Sequence, residues 1–418
     1  MGGCHTPGMP RRPRLHSTDL RGAARLATDA ARGLTDLVEA MHERIARLPG
    51  VPARSPAGRT RGITGLVYKS VRGVTRLTGG TVDALLALLA PALPANDDPG
   101  TPGPDREAIV AALNGVLGDH LLASANPLAT PMAFHRDGRA LPLARAALAQ
   151  RLPDAGPRLL VLLHGLCMND LQWSREGHDH GAALARESGY TPIYLRYNSG
   201  LHVSTNGQAL AQQLEALLDA WPVALGRCVL LGHSMGGLLA RSALHHGARA
   251  GMRWPTRVTD LVCLGTPHHG APLERAGHWV DLLLGATPYA APLARLGRLR
   301  SAGITDLRHG NLVDDDWAGN DRFGRLADRR LAVPLPDTVR CHTLAASIGQ
   351  GGSELKDRLL DHGLGDGLVP LASALGHHPD PARCLAFAAQ RQWVGYGINH
   401  LGLLDHAEVF AQLRHWLR

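Results

Sequence analysis

Cys228-Val229-Leu230-Leu231-Gly232-His233-Ser234-Met235-Gly236-Gly237-Leu238-Leu239-Ala240-Arg241 is the stretch that decides the fold of this 418-residue chain. The apolar run up to Leu231 reads as a buried strand, and the residues from Gly237 onward read as a helix. A G-x-S-x-G pentapeptide at such a joint sets the serine at the apex of a strained turn, hydroxyl outward, with a helix N-terminus beneath it. Gly232 and Gly236 are needed because a side chain two positions either side of the serine would collide with neighbouring backbone. The competing reading is a glycine-rich strand–helix turn with an idle serine, and the surrounding residues must decide between the two.

Working outward, the pattern alternates. A buried strand is expected at residues 159–163, with others at 192–197, 228–231, 261–264, 339–345 and 384–388. Helical spacing separates several of them, notably at 208–220 and 237–246, and a terminal helix is expected at 407–417. Upstream, residues 106–122 read as a helix, followed by a hairpin turning at Asp137-Gly138. Strands alternating with helices imply an α/β fold with a mostly parallel central sheet covered on both faces. Residues 270–337 interrupt the alternation, and their place after the strand that follows the elbow suits a helical lid insertion.

The first hundred residues differ in kind. Leu20, Ala24, Ala27, Ala31, Leu34, Val38, Met41, Ile45 and Leu48 recur at steps of three and four, giving an apolar stripe flanked by arginines. A Pro-rich linker with Asn96-Asp97-Asp98 follows. The division expected is a basic helical N-terminal region over 1–104 and an α/β domain with its lid insertion over 105–418. The net charge of +8 is concentrated there, since residues 1–80 hold 14 Arg/Lys against 5 Asp/Glu. That balance fits either a solvated helical face or peripheral contact with a membrane or lipid granule. Aromatics at 4% give no long stacking surface, so no nucleic-acid partner is expected. The six cysteines are scattered without zinc or disulfide spacing, no apolar leader opens the chain, and the expected location is the cytoplasm. No cofactor and no metal are expected.

A serine hydroxyl becomes nucleophilic only when a positioned imidazole takes its proton and an anion fixes that imidazole's tautomer. An elbow serine therefore calls for a downstream acid and then a histidine. Asp366 lies in the glycine-flanked turn Gly365-Asp366-Gly367-Leu368-Val369-Pro370, with Asp361 and Asp357 as weaker competitors. His400, in Asn399-His400-Leu401-Gly402, follows the last expected strand, and His406 is its alternative. Most of the other histidines, including His245-His246, His268-His269 and His377-His378, are expected on the surface or in loops. The oxyanion of a tetrahedral intermediate needs preorganised donors. Leu163-His164-Gly165-Leu166 ends the first core strand, so the Leu166 and Met235 amides are the expected pair, with His164 as a loop anchor.

Taken in order, these segments, with Gly265-Thr266-Pro267-His268-His269-Gly270, resemble those of α/β-hydrolase lipases and esterases. The chain looks like a bacterial lipase or a serine esterase similar to the GPI-inositol deacylases, over roughly residues 105–418. The resemblance implies carboxylic-ester hydrolysis through an acyl-enzyme on Ser234, with Asp366 and His400 completing the triad and a small-molecule or lipid ester as substrate. Secreted lipases of this kind often carry a calcium-site aspartate two residues after the catalytic histidine. Here that position is Gly402, so the calcium is not carried over. An acyltransferase or thioesterase of the same fold would need the same triad, and a non-catalytic scaffold docking through the N-terminal helices is the remaining alternative.

Overall fold

The computed structural model describes residues 19, 21–26, 104–271, 301–319, 328, 330–351 and 365–418. The chain divides into two units, one of residues 1–100 with 123–128, the other of residues 101–122 with 129–418. Most of the apolar stripe and the linker lie outside the described residues. In the first unit, residues 21–26 are helical, and Asn126 Nδ2 donates to the Gly22 carbonyl at 3.1 Å.

The second unit opens with helix α1 (Pro104–Ala123), then β1 (Ala133–Arg136), β2 (Arg139–Ala140) and α2 (Arg145–Arg151). It continues with β3 (Arg158–Leu163), α3 (His180–Ser188), β4 (Thr191–Arg196) and α4 (Val203–Ala220). The elbow region supplies β5 (Arg227–His233), α5 (Met235–Arg249) and β6 (Asp260–Leu264). Then come α6 (Ala302–His309), β7 (Arg340–Ser347), α7 (Leu371–Ala374), β8 (Gln392–Tyr396) and α8 (Ala407–Leu417).

The eight strands form one sheet in the order β2-β1-β4-β3-β5-β6-β7-β8. Only the β1 pairings are antiparallel, and the rest are parallel. The hairpin turns at Asp137 (φ 53) and Gly138 (φ 69), the two positive angles a tight primed turn requires.

Alternation along the strands splits the core into two layers. Leu160, Leu162, Val229, Leu231, Val262, Leu264 and Leu344 pack with Leu184 of α3 and with Val409, Leu413 and Leu417 of α8. The intervening Leu159, Val161, Leu163 and Leu230, equally buried, face the opposite side, which α5 covers with α4 packed on it. Both faces are dry, which is why the strands read as continuous apolar runs rather than alternating ones.

One expected strand is corrected. Residues 384–388 carry no strand; the sheet edge beside β7 belongs to β8 instead. Leu385 hydrogen-bonds through its N–H to Gly376 O, and the Phe387 ring lies 5.4 Å from that of His268. Those apolar residues pack under a loop, while Trp393 lies opposite Leu344 in the ladder.

The described part of the 270–337 insertion is tied to the domain. Ser301 Oγ donates to Gly115 O at 2.6 Å. Asp306 Oδ2 accepts the Val203 N–H at 2.7 Å, so a carboxylate from the insertion caps the N-terminus of α4. Residues 272–300 of the insertion lie outside the described residues.

Candidate active site

The site is assembled at the carboxyl ends of β3, β5, β6, β7 and β8, where an open parallel sheet presents its loops. Ser234 separates β5 from α5 with φ 55 and ψ −121, a conformation that costs a non-glycine residue on the order of 1–3 kcal/mol. Its neighbours hold it there. The Ser234 N–H donates to Leu264 O at 2.8 Å, extending the β5–β6 ladder one residue beyond the strand. A Cβ on Gly232 would stand 2.5 Å from Gly236 C, and one on Gly236 would stand 2.0 Å from Leu163 O. Both glycines are therefore required by close backbone approach, as the sequence implied. Ser234 Oγ is buried and has no hydrogen-bond partner among the described residues.

Asp366 and His400 meet. His400 Nδ1–H donates to Asp366 Oδ2 at 2.6 Å, with both side chains almost fully buried. The other carboxylate oxygen is held as well, since Asp366 Oδ1 accepts from the Leu368 N–H at 3.0 Å and the Val369 N–H at 2.8 Å. Gly365 (φ 54) and Gly367 (φ 94) give the turn its left-handed corners. The His400 N–H in turn donates to Asp366 O at 2.9 Å, so backbone and side chain register the same two residues. With its Nδ1 proton committed to the carboxylate, a neutral His400 presents Nε2 as the basic nitrogen.

Two further residues link this pair to the elbow. Gly265 (φ 55) follows Leu264, the acceptor of the Ser234 amide; a Cβ on it would lie 3.1 Å from Asp366 Oδ2 and 3.2 Å from His400 Nδ1. His233, the residue before the serine, donates from Nε2 to His400 O at 3.1 Å, and the two rings are 4.7 Å apart. Burial holds the His233 pKa well below its usual value, so the ring is neutral and its Nε2 proton is free for that bond. His180 Nε2 likewise donates to Leu403 O at 3.0 Å, anchoring the turn after His400 from α3.

The turn after β3 lies against the serine. A Cβ on Gly165 would stand 3.2 Å from Ser234 Cβ. Neither the Leu166 nor the Met235 amide is engaged by another described group. The Met235 amide is the first of α5, where unsatisfied N–H groups and the helix dipole favour negative charge. His164 Nδ1 donates to Gly165 O at 2.8 Å, its ring stacks on Tyr197, and the Tyr197 hydroxyl donates to His164 O at 2.9 Å. Burial pulls the His164 pKa to about 4, so it anchors this turn as a neutral ring.

Other candidates fall elsewhere. Half-buried His406 caps α8 by accepting the Glu408 N–H, away from Asp366. Asp357 and Asp361 lie outside the described residues. His268 is in a loop, yet it is buried against Arg241 rather than displayed on the surface. His233 and Gly265 received no role from sequence. The position of His233 beside the serine was the one available signal, since its partner carbonyl is 167 residues away. Among the described residues, no group of three or more His, Cys, Asp or Glu side chains could hold a metal ion. Nor is any described helix long and apolar enough to cross a membrane.

Sheet order, parallel core and elbow together define an α/β-hydrolase fold. Residues 158–332 match the family described as the PGAP1-like alpha/beta domain, a span that includes β3, the elbow and β6 but ends before Asp366 and His400. No curated protein matches the chain. Among solved structures, the mature form of the Bacillus licheniformis lipase BlEst2 is 23% identical, covering 63% of this chain and 92% of that one at a TM-score of 0.40. The Pyrococcus furiosus esterase Pf2001 is 12% identical, covering 63% and 80% at 0.35. The Staphylococcus hyicus lipase is 15% identical, covering 62% and 93% at 0.34.

Proposed function

We propose that the protein is a serine hydrolase that cleaves carboxylic esters, with an acyl-lipid-like substrate, through an acyl-enzyme on Ser234. The observation that carries this reading is the buried 2.6 Å bond from His400 Nδ1 to Asp366 Oδ2, held beside a serine in a strained elbow. His400 Nε2 takes the hydroxyl proton as Ser234 Oγ attacks the acyl carbonyl, and Asp366 stabilises the imidazolium that forms. The Leu166 and Met235 amides receive the oxyanion, aided by the positive end of α5. Collapse of the intermediate expels the alcohol, which leaves with the proton from Nε2. Water then attacks the acyl-enzyme, giving its proton to Nε2, and the acid departs as Ser234 is restored.

The reading places the protein in the cytoplasm, with the N-terminal region making peripheral contact with a membrane or lipid granule, as separate proposals resting on composition. A fluorophosphonate probe tests the chemistry. Labelling of wild type that vanishes in Ser234→Ala supports the mechanism; no labelling, or labelling that persists in the variant, refutes it. A panel of esters of graded acyl length then assigns the substrate class.

A further inference from the structure

A cavity of about 300 Å³ lies in the second unit with Arg241, Arg330, Arg383, His268 and His269 in its wall. None of Ser234, Asp366 and His400 lines it, and neither does any carboxylate among the described residues. Its charge is one-sided. Arg330 Nη2 pairs with Asp328 at 2.7 Å, and Arg383 Nη1 approaches the same carboxylate at 3.5 Å. Asp380 lies 3.6 Å from Arg383 Nε. Two carboxylates therefore serve the two outer guanidinium groups, while among the described residues no carboxylate pairs directly with the innermost one, on which Asp316 acts only at longer range.

That innermost group is Arg241, on α5, which is 5% exposed. Its Nη2 donates to Val333 O at 2.6 Å and its Nη1 to His268 Nδ1 at 3.2 Å, while its buried Nε has no partner among the described residues. A guanidinium only donates, so His268 accepts at Nδ1 and, as a neutral ring, carries its proton on Nε2. That atom is also buried without a partner among the described residues. Burial draws the Arg241 pKa down to about 10, which still leaves it cationic at neutral pH. Among the described residues this buried cation faces a neutral histidine and a carbonyl with no directly paired carboxylate, and proteins rarely bury a charge that way unless something supplies a countercharge.

We propose that this cavity binds a phosphate-class oxyanion, with Arg241 as the buried cation and Arg330 and Arg383 as the outer pair. Guanidinium forks match the oxygens of a phosphate, and a dianion compensates more of the surplus than a carboxylate does. A water occupies roughly 30 Å³ of liquid, so the cavity admits a phosphate ion with room left for an organic group on it. The site stands independently of the ester chemistry.

The test is calorimetric titration of the full-length protein with inorganic phosphate, ionic strength being fixed with chloride. Saturable one-to-one binding is expected, weakened at least tenfold in Arg241→Met and in Arg383→Gln. Near-ultraviolet circular dichroism checks that each variant is folded; if Arg241→Met is not, Arg383→Gln decides. Absence of saturable binding in wild type overturns the proposal, and so does unchanged affinity in every folded variant. Parallel titrations with glycerol phosphate and dimethyl phosphate identify the source: tighter monoester binding assigns a soluble phosphate, tighter diester binding a lipid headgroup. Ser234→Ala should bind phosphate as wild type does, which separates this site from the hydrolytic one.

Discussion

His233 Nε2 lies 3.1 Å from the backbone oxygen of His400, so the residue that precedes the elbow serine grips the loop bearing the imidazole. Burial keeps the His233 ring neutral, and the proton it retains sits on Nε2 to make this bond. Ser234 and His400 are thereby registered through one side chain.

His233→Phe keeps the ring volume and removes the donor to the His400 carbonyl, a loss of about 1–3 kcal/mol. Ester turnover should fall tenfold or more, chiefly in kcat, in a protein that remains folded. Partial recovery in His233→Gln, whose amide can donate, would assign the loss to positioning. Unchanged kinetics in His233→Phe would remove His233 from that role.

Asp366→Asn should lower kcat by about four orders of magnitude, because an amide cannot hold the Nδ1–H tautomer that frees Nε2. Combining it with Ser234→Ala should cost little beyond the worse single change, since residues acting as one unit are not additive. Steady-state kinetics of the three variants decide this, and independent, additive losses would contradict a shared proton relay.

Gly265→Ala should impair activity more than its size suggests. Its Cβ would stand 2.5 Å from Leu403 Cδ1 and 3.1 Å from Asp366 Oδ2, at a φ of 55 that alanine adopts poorly. Stability should drop by about 1–3 kcal/mol. Denaturant unfolding measures the loss, and a fully active, equally stable variant would show that the Asp366–His400 pair tolerates displacement.

Acid should destabilise the fold through its buried histidines. His164 and His180 are each pulled by burial to about 4, and burial also holds His233 and His268 well below their usual range. A histidine whose folded pKa is depressed is neutral in the native state and takes up a proton on unfolding. Its contribution is thus full above about pH 6.5 and declines as pH falls toward 4. Melting temperature measured across that window should fall steadily with pH; a flat profile would mean these rings are not excluded from water.

Much of this was legible beforehand because it is local. The elbow, the hairpin turn and the buried strands follow from residues adjacent in sequence, where glycine spacing and apolar runs have direct conformational meaning. Asp366 and His400 stood out through their glycine-flanked turn and their order in the chain. The edge strand did not, because Leu385 and Phe387 look more strand-like than Gln392-Trp393-Val394-Gly395-Tyr396. An edge strand needs little apolar content of its own, since one side of it has no neighbour to pack against.

By itself the sequence determined the fold class and the strained serine turn, and it singled out Asp366 and His400 as candidates to serve it, since these depend on short-range sterics and on residue chemistry. Tertiary structure alone decided that His233 holds His400 and that Gly265 leaves room for the acid–base pair. It alone buried Arg241 opposite His268 rather than a carboxylate. Contacts between residues far apart in the chain arise from how the strands are ordered in the sheet, and no local pattern encodes them.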